Sequence, residues 1–204
     1  MDRIGELNQL VEQVRVCQNC RLARGRTRAV PGEGPSDAEI MFIGEAPGYH
    51  EDRQGRPFVG ASGDLLEKLL ADIGYRRDQV YIANVIKCRP PQNRDPLPDE
   101  QAACRPYLDR QIELIEPKVI VTLGRFSMAR YFPGQSISRI HGQVKREGNV
   151  AYIPMFHPAA ALRQQRWMAA ITDDFAKIPE VLAELRAADS GASDDQDFEQ
   201  LSLF

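Results

Sequence analysis

Three short runs constrain this chain more than anything else in it. AEIMFIG (Ala38–Gly44), QVYIANVIK (Gln79–Lys87) and KVIVTLG (Lys118–Gly124) are almost wholly apolar and do not alternate with polar residues. A strand with one solvated face alternates, whereas a strand covered on both faces has no need to. These runs therefore predict strands inside a sheet with helices on both sides. The intervening stretches agree. SGDLLEKLLADIG has apolar residues at helical spacing, Ser62 near its start and Gly74 as its stop. Asp99 is the expected cap of a helix carrying Cys104, Leu108, Ile112 and Ile115, which ends before Pro117. Ile4, Leu7, Leu10, Val11 and Val14 predict an opening helix, and GQVKREGNVAYIPMFH a hairpin turning near Gly148 and Asn149. A last long helix is expected from about Trp167 to Ala187. Strands alternating with helices make an α/β fold, a three-layer α/β/α arrangement around a mostly parallel four-stranded sheet. Residues 1–187 form this one domain.

Such sheets bind ligands at the carboxyl ends of their strands. Gly44 and Glu45 follow the first run, Asn84 lies late in the second, and His157 closes the hairpin's second arm. Their convergence on one pocket is the expectation. Glu45 stands out, a carboxylate placed directly after a buried strand, on a loop shaped by Pro47 and Gly48.

The four cysteines fall into two pairs. Cys17 and Cys20 form a C-x2-C beside an arginine-rich loop, and Cys88 and Cys104 flank a single strand-to-helix connection. This pairing favours a four-thiolate metal site over one reactive pair with two core thiols. Zinc sites usually combine two short knuckles, and one is present here; iron–sulfur clusters accept wider spacing. Arg15, Arg21, Arg24, Arg26 and Arg28 lie in an acid-free stretch, Gln13–Gly32, that would offset a cluster's negative charge or meet phosphate.

The formal net charge of −3 conceals an uneven distribution. Asp189, Asp194, Asp195, Asp197 and Glu199 lie in a stretch, Ala187–Phe204, with no Lys or Arg; without these five acids the body carries +2. Residues 188–204 read as an acidic, disordered tail. No apolar run is long enough to cross a bilayer, and the N-terminus lacks the apolar core of a signal peptide. A soluble, cytoplasmic, nucleoid-associated monomer with no membrane partner is expected.

GEAPGYHED, GRPFVGASGDLL, NVIKCRPP and HPAAAL, in this order and with these cysteines, resemble the family 4 uracil-DNA glycosylases from about Cys17 to Leu162. The resemblance implies the uracil-DNA glycosylase-like fold with an iron–sulfur-stapled loop region. It implies a monofunctional DNA N-glycosylase that flips uracil out of single- or double-stranded DNA, hydrolyses the N-glycosidic bond and leaves an abasic site for base excision repair. The cofactor would be a [4Fe-4S] cluster on Cys17, Cys20, Cys88 and Cys104. Glu45 and His157 would be catalytic. Gly44, Glu45, Ala46, Glu51, Phe58, Asn84 and His157 would bind uracil. In this reading Phe58 stacks on the base, Asn84 reads its Watson–Crick edge and His157 donates to O2. Glu51 is the choice for excluding thymine's methyl group, with Tyr49 as its rival. Other uracil glycosylase families place an Asp or Asn where Ala46 stands, so the group that activates water is left open.

Arg89, Arg94, Arg139, His141 and Arg163 are the candidate DNA contacts. The closing QLSLF resembles a sliding-clamp docking peptide, with Gln200 as polar anchor and Leu201, Leu203 and Phe204 filling a groove. Two other readings compete: a related glycosylase with broader deaminated-base specificity, and a non-catalytic DNA- or replisome-binding module with a four-cysteine metal site.

Overall fold

A computed structural model describes the backbone of residues 2–201 and the side chains of residues 2–190. In chain order its elements are α1 (Arg3–Val16), β1 (Ile40–Gly44), α2 (Tyr49–Gln54), α3 (Ala61–Asp72), β2 (Tyr81–Asn84), α4 (Pro98–Ile115) and β3 (Val119–Leu123). There follow the short α5 (Arg125–Met128) and α6 (Ile137–Ile140), then β4 (Lys145–Glu147), β5 (Val150–Met155), α7 (Pro158–Ala161), α8 (Gln165–Phe175) and α9 (Ile178–Leu201). The sheet order is β2-β1-β3-β5-β4. β1 pairs in parallel with β2 and β3, and β3 with β5, while β4 lies antiparallel to β5 at the edge. The sheet thus has a fifth strand beyond the expected four, because the first arm of the predicted hairpin also pairs.

Successive strand residues face opposite sides, which explains why the runs do not alternate. Ile40 and Phe42 of β1 pack with Leu66 and Leu69 of α3 and with Phe175 and Leu182 near the C-terminus. Met41 and Ile43 pack with Leu7 and Leu10 of α1 and with Leu108 and Ile115 of α4. Every residue of β1, β2 and β3 is buried. Phe42 stacks on Phe175 with ring centroids 5.5 Å apart. Truncating such a ring to alanine costs about 3–5 kcal/mol.

Two boundaries differ from expectation. Pro98 opens α4, where its fixed φ suits the first helical position, and Glu100 reaches back to accept from Leu97 N at 2.9 Å. Asp99 is therefore not the cap; it pairs with Arg21 at 2.8 Å. The last long helix is two helices, broken between Phe175 and Ile178. Pro179 lies in the first turn of α9, which tolerates proline, and it could not have continued α8. The α9 backbone is helical to Leu201. Of the candidate clamp residues, Leu203 and Phe204 lie outside the described residues, as do the side chains of Gln200 and Leu201. Among the described residues no helix is long and apolar enough to cross a membrane.

From its carboxyl end β1 connects to β2 on one side, whereas its other neighbour, β3, connects onward to β4 and β5 on the opposite side, so the two connections diverge between β1 and β3. That switch point opens the crevice where α/β sheets place ligands.

Candidate active site

A cavity of about 560 Å³ lies at this crevice, and Glu45, Ala46, Phe58, Asn84, Arg125 and His157 form its wall, with Glu51 at its side. Six of the seven residues expected to bind the base thus line one space. The seventh, Gly44, lies behind them. A Cβ there would run into Asn84 Oδ1 and come within 2.7 Å of Phe58 Cζ, so glycine is what lets strand, amide and ring meet.

Asn84 ends β2 at 2% exposure, and its side-chain amide makes no hydrogen bond among the described residues. The residue lines the cavity, and a ligand bearing one donor and one acceptor would satisfy its amide. Its backbone is well held. Lys87 is buried and its Nζ donates to Asn84 O at 3.0 Å and to Gln111 Oε1 at 2.7 Å. Gln111 in turn donates to Pro31 O and the Tyr81 hydroxyl. Burial lowers the Lys87 pKa to about 7.

Phe58 is 5% exposed and has φ of +50°, a left-handed conformation that costs a bulky residue about 1–3 kcal/mol. Its ring lies beside that of His157, with centroids 5.6 Å apart and planes 23° apart. The Glu51 carboxylate accepts from Val59 N at 3.0 Å, Gly60 N at 3.2 Å and Gly48 N at 3.1 Å. Glu51 therefore braces both loops as well as lining the cavity. Tyr49 is 50% exposed and is not part of the wall.

His157 caps α7, its Nδ1 accepting from Ala159 N at 3.1 Å. A ring nitrogen that accepts carries no proton, so the proton resides on Nε2. Burial lowers the His157 pKa to about 4, against the opposing pull of Glu51, and the ring is neutral at physiological pH. The residue lines the cavity as a neutral ring with one N–H donor. Gly124, with φ of +93°, lets the end of β3 pass close by; a Cβ there would lie 3.2 Å from His157 Cβ.

Glu45 follows β1 directly, and its carboxylate makes no hydrogen bond among the described residues. Burial raises its pKa above the ordinary carboxylate value and the nearby Asp95 adds to this, while Arg125 opposes. Arg125 is ion-paired with Asp95. Arg125 was not anticipated, yet it had a signal: it follows the glycine that closes a buried strand, as Glu45 does.

The candidate DNA contacts separate. Arg163 is exposed, lines the cavity and has no ion-pair partner among the described residues. Arg89 donates to Asn93 Oδ1 at 2.7 Å and lies 5.2 Å from the Tyr49 ring centroid, beside the cavity mouth. Arg94 also borders the cavity, but its fork grips buried Glu100 at 2.6 and 2.9 Å, tying the loop to α4. Arg139, exposed on α6, and His141 do not line the cavity. His141 Nδ1 lies 2.8 Å from buried Asp174 and its ring rests on Phe156.

The four cysteines are free thiols that share one corner. Cys88 and Cys104 are buried in a small cluster with Val14, Leu22 and Ile86, and Cys20 packs on it. Cys17 reaches the same corner through Asn19, whose Nδ2 donates to the hydroxyl of Tyr107, a residue that also packs on the cluster. N–H groups point at the sulfurs. Arg26 Nη1 lies 3.1 Å from Cys88, Asn19 N 3.4 Å from Cys17 and Lys87 N 3.5 Å from Cys104. Burial pushes the Cys104 thiol up to about 11 and raises Cys88 as well. Buried thiols ringed by donors suit binding as thiolates to a positive centre. Among the described residues, no three His, Cys, Asp or Glu side chains close on a single-ion site.

Comparison with known proteins accords with this geometry. Residues 31–186 match the family model of the uracil DNA glycosylase superfamily. The chain is 50% identical to a type-4 uracil-DNA glycosylase of Sulfurisphaera tokodaii, over 86% of this chain and 84% of that protein. It is 47% identical to one from Archaeoglobus fulgidus, covering 86% and 92%, and 48% identical to one from Thermotoga maritima, covering 78% and 85%. The chain belongs to the uracil-DNA glycosylase superfamily, and within it to the type-4 enzymes.

Proposed function

We propose that this enzyme removes uracil from DNA by hydrolysing the bond between the base and its sugar, leaving an abasic site for repair. The observation that carries the reading is the company around one cavity. An amide with no protein partner among the described residues, an aromatic face and a neutral imidazole line a space that fits a flat pyrimidine.

A base in a duplex is out of reach, so the nucleotide turns out of the stack into the cavity. Phe58 lies against the base. The Asn84 amide donates to O4 and accepts from N3–H; cytosine offers the reverse pattern and is rejected. Ala46 is short and leaves room beside the base, and Glu51, fixed by three backbone amides, limits space near C5 against thymine. As the glycosidic bond breaks, its electron pair moves onto the base and negative charge grows at O2. His157 Nε2–H stabilises that charge without giving up its proton. Glu45, ionised, stabilises positive character at C1′ and orients the water whose hydroxyl adds there. The water's remaining proton goes to solvent or to the departing uracil. Arg163 and Arg89 meet the flanking phosphates.

The cysteine corner fits a [4Fe-4S] cluster, in which each iron takes one thiolate, better than zinc, which needs every ligand on one ion. Cys17, Cys20, Cys88 and Cys104 would hold it, and its contribution is to staple the Cys88–Cys104 loop to the N-terminal loop. The terminal QLSLF would dock on a sliding clamp; deleting Gln200–Phe204 should then weaken clamp affinity without changing excision. The enzyme would act as a cytoplasmic monomer. The decisive assay treats a uracil-containing oligonucleotide with the protein and cleaves abasic sites with alkali. Scission confined to the uracil position is expected; no scission by correctly folded protein overturns the reading.

A further inference from the structure

Phe58 is held in its left-handed conformation from outside the cavity. Arg77 lies in a single 3-10 turn before β2, its side chain 14% exposed. Its Nη1 donates to Phe58 O at 2.9 Å and its Nη2 donates to Pro57 O. Two consecutive carbonyls are thus gripped by one planar fork, a geometry that a lysine ammonium cannot reproduce. Arg77 is itself oriented by Glu33, 3.4 Å from its Nε, and Glu33 is locked by Arg56 at 2.7 and 2.6 Å. Glu33 is also bridged to Ile82 of β2 through both backbone groups. On the other side of the turn, Glu51 takes the amides of Val59 and Gly60. Beneath it, Gly63 has no Cβ to collide with the Phe58 carbonyl.

Strained backbone persists only where its surroundings over-determine it. Here a cation holds the carbonyl end of the turn, an anion holds the amide end, and both anchors reach back to rigid elements. We propose that Arg77 is a positioning residue for the reaction: by gripping the carbonyls of Pro57 and Phe58 it sets the tilt of the Phe58 ring against the bound base. Arg77 touches no substrate and acts only through Phe58. The inference rests on Phe58 being the face against which uracil lies.

The test is a double-mutant cycle read by steady-state kinetics on a single-stranded uracil oligonucleotide and by inhibition with free uracil. Arg77→Met should lower kcat/KM by about ten- to a hundredfold and weaken uracil inhibition in parallel. Arg77→Lys, whose ammonium lacks the planar fork that spans both carbonyls, should fall between. Glu33→Gln, which removes one of the two carboxylates beside Arg77 but leaves Glu67, 3.5 Å from its Nη1, and both carbonyl contacts, should stay within about twofold of the parent. In a Phe58→Ala background, Arg77→Met should change kcat/KM by less than about twofold, because the ring it positions is gone. A loss that carries over in full into that background overturns the proposal, as does parental behaviour of Arg77→Met. Parental kinetics of Phe58→Ala alone would instead defeat the stacking role of Phe58, and the proposal with it. If Arg77→Met fails to fold, Arg77→Lys enters the same cycle, and the same additivity decides.

Discussion

The cavity and the cysteine corner treat polar groups in opposite ways. In the corner the sulfurs are supplied with donors: Arg26 serves Cys88, Asn19 serves Cys17 and Lys87 serves Cys104. In the cavity the Asn84 amide and the Glu45 carboxylate have no hydrogen-bond partner among the described residues, and His157, which lines the same space, uses only its Nδ1. A region that satisfies its own groups spends them on stability, and a region that leaves them unpaired keeps them for a ligand. The regions touch through Lys87, whose backbone N reaches Cys104 while its Nζ holds the Asn84 carbonyl.

Mutations on the two sides should therefore differ in kind. The largest effects on rate belong to the cavity. Glu45→Gln should lower kcat by about 10²–10⁴ with the melting temperature held or raised, and His157→Leu by about 10²–10³ with only the small loss of stability expected from the missing α7 cap, about 1 kcal/mol. A fall in melting temperature matching the lost activity would erase the distinction. Next comes the corner. Cys88→Ser should lower the melting temperature by on the order of 10 °C, while the molecules still folded turn over at near-parental rate. Single-turnover kinetics corrected for folded fraction separate the two outcomes.

A smaller effect sharpens the cavity itself. His157 has a folded pKa of about 4, below its ordinary 6.5. Between those values the unfolded chain binds a proton that the folded chain does not, so its contribution to stability falls as pH drops through that window. The ring proposed to donate to O2 stays neutral down to about pH 4. The acid limb of the rate profile above that pH should then belong to Glu45, whose pKa is raised by burial. Activity should fall as pH drops through that raised value, and the limb should vanish in Glu45→Gln. The smallest effect is peripheral. Arg163→Ala should weaken DNA binding a few-fold and reduce the salt slope by about one, measured by binding titrations at several salt concentrations.

Much of this is legible in the sequence, for identifiable reasons. Fully buried parallel strands announce themselves as apolar runs, and Glu45, Asn84 and His157 were conspicuous because each stands at the end of one. The cysteine pairing needed only spacing. What could not be read is long-range. Nothing near Arg77 in sequence reveals that it grips the carbonyls of Pro57 and Phe58, and nothing near Glu51 reveals three backbone amides as its partners. In sequence Arg94 and His141 read as charges for DNA, but Glu100 and Asp174 already engage them across the fold. Surface charge is visible in a sequence, whereas its partner is decided by packing.

The close meeting at Gly44 has a consequence for the gene. No side chain fits there without displacing Asn84 or Phe58. Every glycine codon begins with two guanines, each opposite a cytosine. If either of those cytosines deaminates and is copied, the codon becomes one for serine, arginine, aspartate or glutamate. The lesion that this enzyme removes is thus a direct route to destroying it, and a cell that loses repair for a time exposes the repair gene at a position unable to absorb the damage.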